Sequence, residues 1–219
     1  MTSTKPQTDV ARVPLSRERV LAAAIALADA RGIDALSMRR LAQELGVEAM
    51  SLYHHVANKD EILDGMVDAV VAGTALPVTT DDWKATIRAM AIATHDALAD
   101  HPWAASLMLS RNIPSRLRYM EAVLGSLRRG GFSAAMTDHA YHAIDSHIAG
   151  YTLWAANFHI EPETLPALAS EFLHTLPEGQ FPYVIEHVHE HLRERDPESE
   201  GEFAFGLDLI LDGLERLRS

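Results

Sequence analysis

"RRLAQELGVEAMSLYHHVANKDEIL", residues 39–63, contains two arginines, a glycine, a run of large side chains and then Asn-Lys-Asp-Glu. Ser37, just upstream, is an N-cap residue, and Met38, Leu41, Ala42 and Leu45 follow at helical spacing. Gly46 ends that helix, and a third helix is expected from Val47 or Glu48 to about His55. Short helix, glycine turn, short helix is helix-turn-helix spacing. In that motif the second helix of the pair lies in the DNA major groove and its N-terminal side chains reach base edges. Leu52 and Val56 are four apart and can pack inward, which leaves Ala49, Met50, Tyr53 and His54 together on the opposite face. A solvent-facing Met-Tyr-His surface makes sense against DNA. Ala and Met touch thymine methyls, while Tyr and His donate to phosphates or base edges. Arg39 stands where it can reach guanine or a phosphate, and Lys59 opens the next helix, where its ammonium and the helix amides can share a phosphate.

Working outward, Ser16 caps a first helix carrying Leu21, Ala24, Ile25 and Ala28, and Gly32 stops it. Asn58 with Glu61 is close to a capping box for a fourth helix, whose Ile62, Met66, Ala69 and Val70 are expected on its buried side. Residues 1–14 are polar, hold two prolines and read as a flexible arm. After Leu76-Pro77 the composition shifts. Helices are expected from Asp81 or Asp82 through Trp83 to about Ala99, over 103–110, and from Pro114, with Leu117, Met120, Leu124 and Leu127 on one side, to Gly130. Ser133 caps a long helix to about Phe158. Residues 159–182 carry four prolines and leave a helix there undecided. A short helix follows near 182–193, then the charged linker "RERDPESEG", then a last helix over about 200–217. No strand-period segment of useful length and no repeat appear, so the chain reads as all-α. Its expected domains are the arm 1–14, a helix-turn-helix domain 15–75 and a larger helical domain 76–219.

The 219 residues are enough for a sizeable core. There are no cysteines, which excludes disulfides, thiolate zinc sites and cysteine nucleophiles. The first residues lack the apolar core of a signal peptide, and no apolar run approaches membrane-spanning length. Net charge is −12, but it is unevenly spread: residues 1–60 have eight Lys/Arg against seven Asp/Glu, and the remainder eleven against 24. The acid lies downstream of the helix-turn-helix, an asymmetry that suggests two parts with different partners.

Residues 16–74 resemble the DNA-binding domain of the TetR family of bacterial repressors. The carriers are "ALSMRRLAQELGVEAMSLYHHVANKDEILDGM", residues 35–66, and the leading helix "RVLAAAIALADARGIDALS". "GGFSAAMTDHAYHAIDSHIAGYTL", residues 130–153, and Trp83 in its position resemble the second domain of tetracycline repressors. The resemblance implies a cytoplasmic homodimer that binds a near-palindromic operator and a small effector, with no catalytic residues, cofactor or metal and no membrane partner. It implies base-reading roles for Arg39, Ala49, Met50 and His54, and phosphate-contacting or supporting roles for Ser37, Met38, Ser51, Tyr53, His55 and Lys59. Glu48 could accept from cytosine N4 or favour the helix dipole. Where tetracycline binders place a polar pocket set, an ungapped reading finds Ala75, Met90, Thr94 and Met108, so a more apolar effector is expected. Met90, Thr94, Leu107, Met108, Arg111, Met120, His142 and Trp154 are the candidate pocket residues.

Phe203, Leu207, Ile210, Leu214 and Leu217 are spaced 4, 3, 4, 3, a heptad seam. With Ile144, Ile148 and Tyr151 of the long helix they are the candidate dimer interface, the alternative being packing within one subunit. His187 with His191, and His139 with His142, have spacings that could hold a metal or lie on a solvated face. Asp145-Ser146-His147 is a triad only in letters, because consecutive helical residues point about 100° apart. No nucleophile elbow, phosphate loop or HExxH occurs. The rival readings are a helical protein-interaction adaptor and a small His-metal enzyme without DNA binding.

Overall fold

A computed structural model describes residues 14–73, 82–157, 163–192 and 201–218. Most of the N-terminal arm, the Leu76-Pro77 junction, Ala75 and residues 193–200 of the charged linker lie outside the described residues. Everything described is helix, turn or loop.

The first unit is α1 (Arg17–Arg31), α2 (Met38–Leu45), α3 (Ala49–Leu52) and α4 (Lys59–Gly73), with a 3₁₀ turn at Ile33–Ala35. Ser16 and Ser37 cap as expected, accepting from Arg19 N at 3.3 Å and Arg40 N at 3.2 Å. Gly46 is left-handed, φ 64°, which lets its N–H and that of Val47 fold back onto the carbonyls of α2. The third helix is shorter than expected. It ends at Leu52 because Tyr53–His55 turn the chain so that Val56 enters the core. Asn58 then accepts from Glu61 N at 2.9 Å, and Glu61 reaches back to Ala57 N at 2.7 Å, a reciprocal cap displaced by one residue. Val20, Leu41, Leu52, Ile62 and Met66 are fully buried and hold these helices together. Ala69, expected inside, faces out, and Val67 fills the buried face of α4.

The second unit comprises α5 (Trp83–Asp100), α6 (Pro102–Ser110), α7 (Pro114–Arg129), α8 (Ala134–Asn157), α9 (Leu165–Thr175), α10 (Pro182–His191) and α11 (Gly201–Leu217). Asp82 and Ser133 cap α5 and α8. The segment left undecided forms α9, because Pro166 sits in its first turn, where no amide is needed. The long α8 is the axis, packed on α5, α6, α7 and α11, while α4 lies against α5, α6 and α7. On α7 the buried apolar set is Tyr119, Val123 and Leu127; of the expected face Leu127 is buried, Met120 and Leu124 are half-buried against the core, and Leu117 points outward.

A candidate DNA interface and effector cavity

On the first unit, Met50 is 73% exposed and Tyr53 46%, with His54 and Arg39 also exposed. Leu52, between them in sequence, is fully buried. The fold therefore presents the large side chains of α3 and its following turn to solvent and spends the apolar ones on the core. Met38 and Ala49 are half-buried against that core, and Ser51 and His55 are partly covered, whereas Ser37 is exposed. Ser37 is also engaged in capping α2, so its hydroxyl already accepts one amide. Arg39 and Lys59 are exposed and form no ion pair among the described residues, while Arg17 and Arg31 are tied to Glu61 and Glu44. Glu48 stands at the N-cap position of α3 without a side-chain bond to the helix.

Carboxylates on α1 and α4 join this unit to the second. Asp29 accepts from Trp103 Nε1 at 2.6 Å and lies 2.8 Å from His101 Nδ1. Asp68 accepts from Ser115 N at 2.7 Å, at the start of α7. Arg111, where α6 ends, forms ion pairs with Asp60 and Asp64 of α4. Next along, Arg116 of α7 donates to the Met108 carbonyl at 2.6 Å and lies 3.3 Å from Asp145 of α8. Charged contacts thus run from α8 through α7 and the α6 terminus to the helix following the helix-turn-helix.

The candidate pocket residues do not converge. Met90, Thr94 and Met108 are buried core, and the Thr94 hydroxyl donates to the Met90 carbonyl of its own helix. Leu107 and Met120 are partly buried and pack against that core, and Met120 also borders a shallow hollow on α7 with Leu117 and Leu124. Arg111 is turned to α4. The His142 side chain is 67% exposed, 3.6 Å from Asp138 on the outer face of α8. Trp154 does reach an apolar cavity. That cavity, of about 600 Å³, lies between the end of α8, α9, α10 and the start of α11. Leu165, Leu168 and Phe172 wall it from α9, Val188 and His187 from α10, and Tyr151 and Glu202 complete it. The missed α9 residues carry a legible signal: Leu165, Leu168, Ala169 and Phe172 follow i, i+3, i+4, i+7.

The heptad residues Phe203, Leu207 and Leu214, with Ile144 and Ile148, are buried within the subunit, where α11 packs on α5 and α8. Side chains this deeply buried in one subunit have little surface left to give a partner, so they form the intramolecular seam. Ile210 and Tyr151 are half-buried and Leu217 is exposed. The outward stripe of α11 holds Phe205 and Leu209, 69% and 58% exposed. Among the described residues no three His, Asp or Glu side chains gather as a metal site, and the His191 side chain lies outside the description.

An exposed reading face following a glycine turn, on a unit joined by ion pairs to a helical domain with its own cavity, defines the class of helix-turn-helix regulators. Residues 20–66 match the family profile described as bacterial regulatory proteins, tetR family, and residues 76–218 match that of the tetracyclin repressor-like C-terminal domain. The chain belongs to the TetR family and is a DNA-binding transcriptional regulator, which sets aside the metal-enzyme and adaptor readings. The HTH-type transcriptional repressor DrrR1 of Streptomyces coeruleorubidus is 37% identical, over 93% of this chain and 78% of its own length. The TetR family protein ActR of Streptomyces coelicolor in complex with actinorhodin superposes with TM-score 0.73 and 28% identity, covering 94% of this chain and all of that one. BioQ with its double-stranded DNA operator superposes with TM-score 0.66 and 26% identity, covering 93% and 99%.

Proposed function

We propose that the protein is a cytoplasmic, homodimeric repressor that binds a near-palindromic operator and is released from it by a small, largely apolar effector in the α8–α11 cavity. The observation that carries the DNA half is the exposed Met50, Tyr53 and His54 surface, flanked by Arg39 and Lys59. In this reading Arg39, Ala49, Met50 and His54 meet base edges, and Ser51, Tyr53, His55 and Lys59 hold phosphates. Two subunits set the α3 helices into successive major grooves, about 34–36 Å apart. The operator complex of BioQ and the ligand complex of ActR support the two kinds of partner. No helix among the described residues is long and apolar enough to cross a membrane, and DNA binding fits the cytoplasm.

The effector half rests on the cavity wall, which is mostly Leu, Phe, Trp and Val. An effector that binds one subunit geometry more tightly than the other shifts the population, and one that binds both equally releases nothing. The test is selection of duplex DNA from a random pool by the ligand-free protein at physiological salt. Enrichment of an inverted repeat is the expected result; no enrichment overturns the reading.

A further inference from the structure

Asp29 stands near the end of α1, on the unit that carries the reading face, and its side chain grips the second unit. One carboxylate oxygen, Oδ1, accepts from the buried Trp103 indole at 2.6 Å and from His101 Nδ1 at 2.8 Å. The two donors flank Pro102, the first residue of α6, and their rings lie 5.8 Å apart. His101 holds the N-cap position of α6 without a side-chain bond to that helix, and its imidazole turns to α1 instead. The far end of α6 is held as well. Arg111 follows its last residue and pairs with Asp60 and Asp64 of α4, and Ser115 N, at the start of α7, donates to Asp68. Nine residues of α6, about 13 Å, separate the two attachments.

Resting on the homodimer proposed above, we infer that Asp29 is a positioning residue for DNA reading: its clasp on the α5–α6 corner sets the separation of the two α3 helices. The first unit is mounted through α1 at one end of α6 and through α4 at the other. A body held at one place swings about it, whereas two separated mounts fix its direction. Apolar burial between the units is non-directional, while hydrogen bonds fix an angle. The Asp29 side chain faces the second unit and acts on DNA only through this mount. One base pair along the duplex is about 3.4 Å, so a small swing of each first unit about its α4 mount loses the match to two half-sites.

The chain has no cysteine, so Gln43→Cys, at an exposed position of α2, puts one nitroxide label on each subunit. Double electron–electron resonance on the full chain without DNA then reads the distance between the two first units. The labelled parent is expected to give one narrow distribution. Asp29→Ala is expected to widen it by more than about 3.4 Å, the rise of one base pair, with helicity retained. Trp103→Phe combined with His101→Ala removes both donors, leaves the carboxylate in place and is expected to widen it likewise. Arg31→Ala breaks the Arg31–Glu44 pair inside the first unit and is the control that should leave the width unchanged. Equal widths in the parent and in whichever of the two clasp variants folds, or equal widening by Arg31→Ala, overturn the positioning role while the dimer stands. No dipolar coupling in the parent overturns the dimer and the inference with it.

Discussion

Arg111 at the end of α6 forks onto the start of α4: one guanidinium nitrogen meets the Asp64 carboxylate and the Asp60 carbonyl, and another lies 3.2 Å from the Asp60 carboxylate. The Arg111 side chain is only 18% exposed, and the paired carboxylates hold it firmly charged, above its ordinary pKa. This fork fastens the helix that follows the helix-turn-helix to the domain that carries the cavity. Arg111→Ala is expected to destabilise the protein by about 0.5–1.5 kcal/mol, since the charge-assisted hydrogen bonds are lost but the solvent-exposed Asp60 and Asp64 carboxylates rehydrate. Arg111→Lys keeps the charge without the fork and recovers only part of that. Urea denaturation measures both. An unchanged midpoint for Arg111→Ala would show that the bridge contributes nothing.

The reading half of the molecule was legible because local rules decide it: Ser37 and Gly46 bound α2, and a buried Leu52 forces Met50 and Tyr53 outward. The cavity was not. Met90, Thr94 and Met108 look like adaptable pocket residues in sequence, but their burial is set by how α5 and α6 press on α8, a long-range outcome. The α11 heptad was legible as a seam but not in its partner. Spacing gives a helix one apolar stripe and does not say whether the complementary stripe belongs to the same chain. Phe205 and Leu209 fall outside the heptad positions and are apolar residues that α11 leaves exposed.

Gly130 is required by close approach, since its backbone is ordinary helix, φ −67°. A Cβ there would stand 2.7 Å from Cγ of Trp83, whose indole is held edge-on to Phe132 at 4.8 Å and donates to Glu215 at 3.0 Å. That ring cannot step aside without breaking both contacts. Gly130→Ala is expected to lower stability by about 1–3 kcal/mol through overpacking. Gly73→Ala, at a helical glycine with nothing within 4 Å of the added Cβ, is the control and should not. Thermal unfolding of the two variants side by side decides it.

Lys59 and Arg39 are expected to fail differently. Lys59→Ala removes a phosphate contact, so affinity falls for every sequence and the slope of log K against log salt drops by about 0.9. Arg39→Ala also relaxes the preference at one base position, by about 1–3 kcal/mol if its contact there is bidentate. Titrations of operator and scrambled duplexes at several salt concentrations separate the two. Identical slopes for Lys59→Ala and the parent would remove Lys59 from the interface.

His95 is stacked on Phe203, ring centroids 3.9 Å apart, with Nδ1 3.0 Å from Thr152 Oγ1. The Thr152 hydroxyl already donates to the Ile148 carbonyl at 2.8 Å, so its oxygen accepts and His95 carries its proton on Nδ1. Burial lowers the His95 pKa first; Asp96 opposes that, and His147, which also stacks on Phe203, adds to it. A folded pKa below the unfolded one means the unfolded chain binds the extra proton. Its contribution is therefore complete above about pH 6.5 and is lost as pH falls through that value. His95→Gln should flatten that part of the stability profile between about pH 8 and 5 in urea titrations. An unaltered profile would show that His95 is not the titrating group.

The exposed stripe of Phe205 and Leu209 on α11 is the candidate dimer face, distinct from the buried seam of the subunit core. Both are exposed on α11, so Phe205→Asp with Leu209→Asp should leave helicity and melting nearly as in the parent. Two carboxylates facing their own copies across a two-fold axis should nevertheless drive the dimer apart. Sedimentation should then show monomers, and operator affinity should fall with the loss of the second half-site. Ile148→Ala is the opposite case. It opens a cavity under α8 and should cost about 2–5 kcal/mol in unfolding, with the change in association following only from the loss of fold. A double aspartate variant that still sediments as a dimer would move the interface off this face of α11.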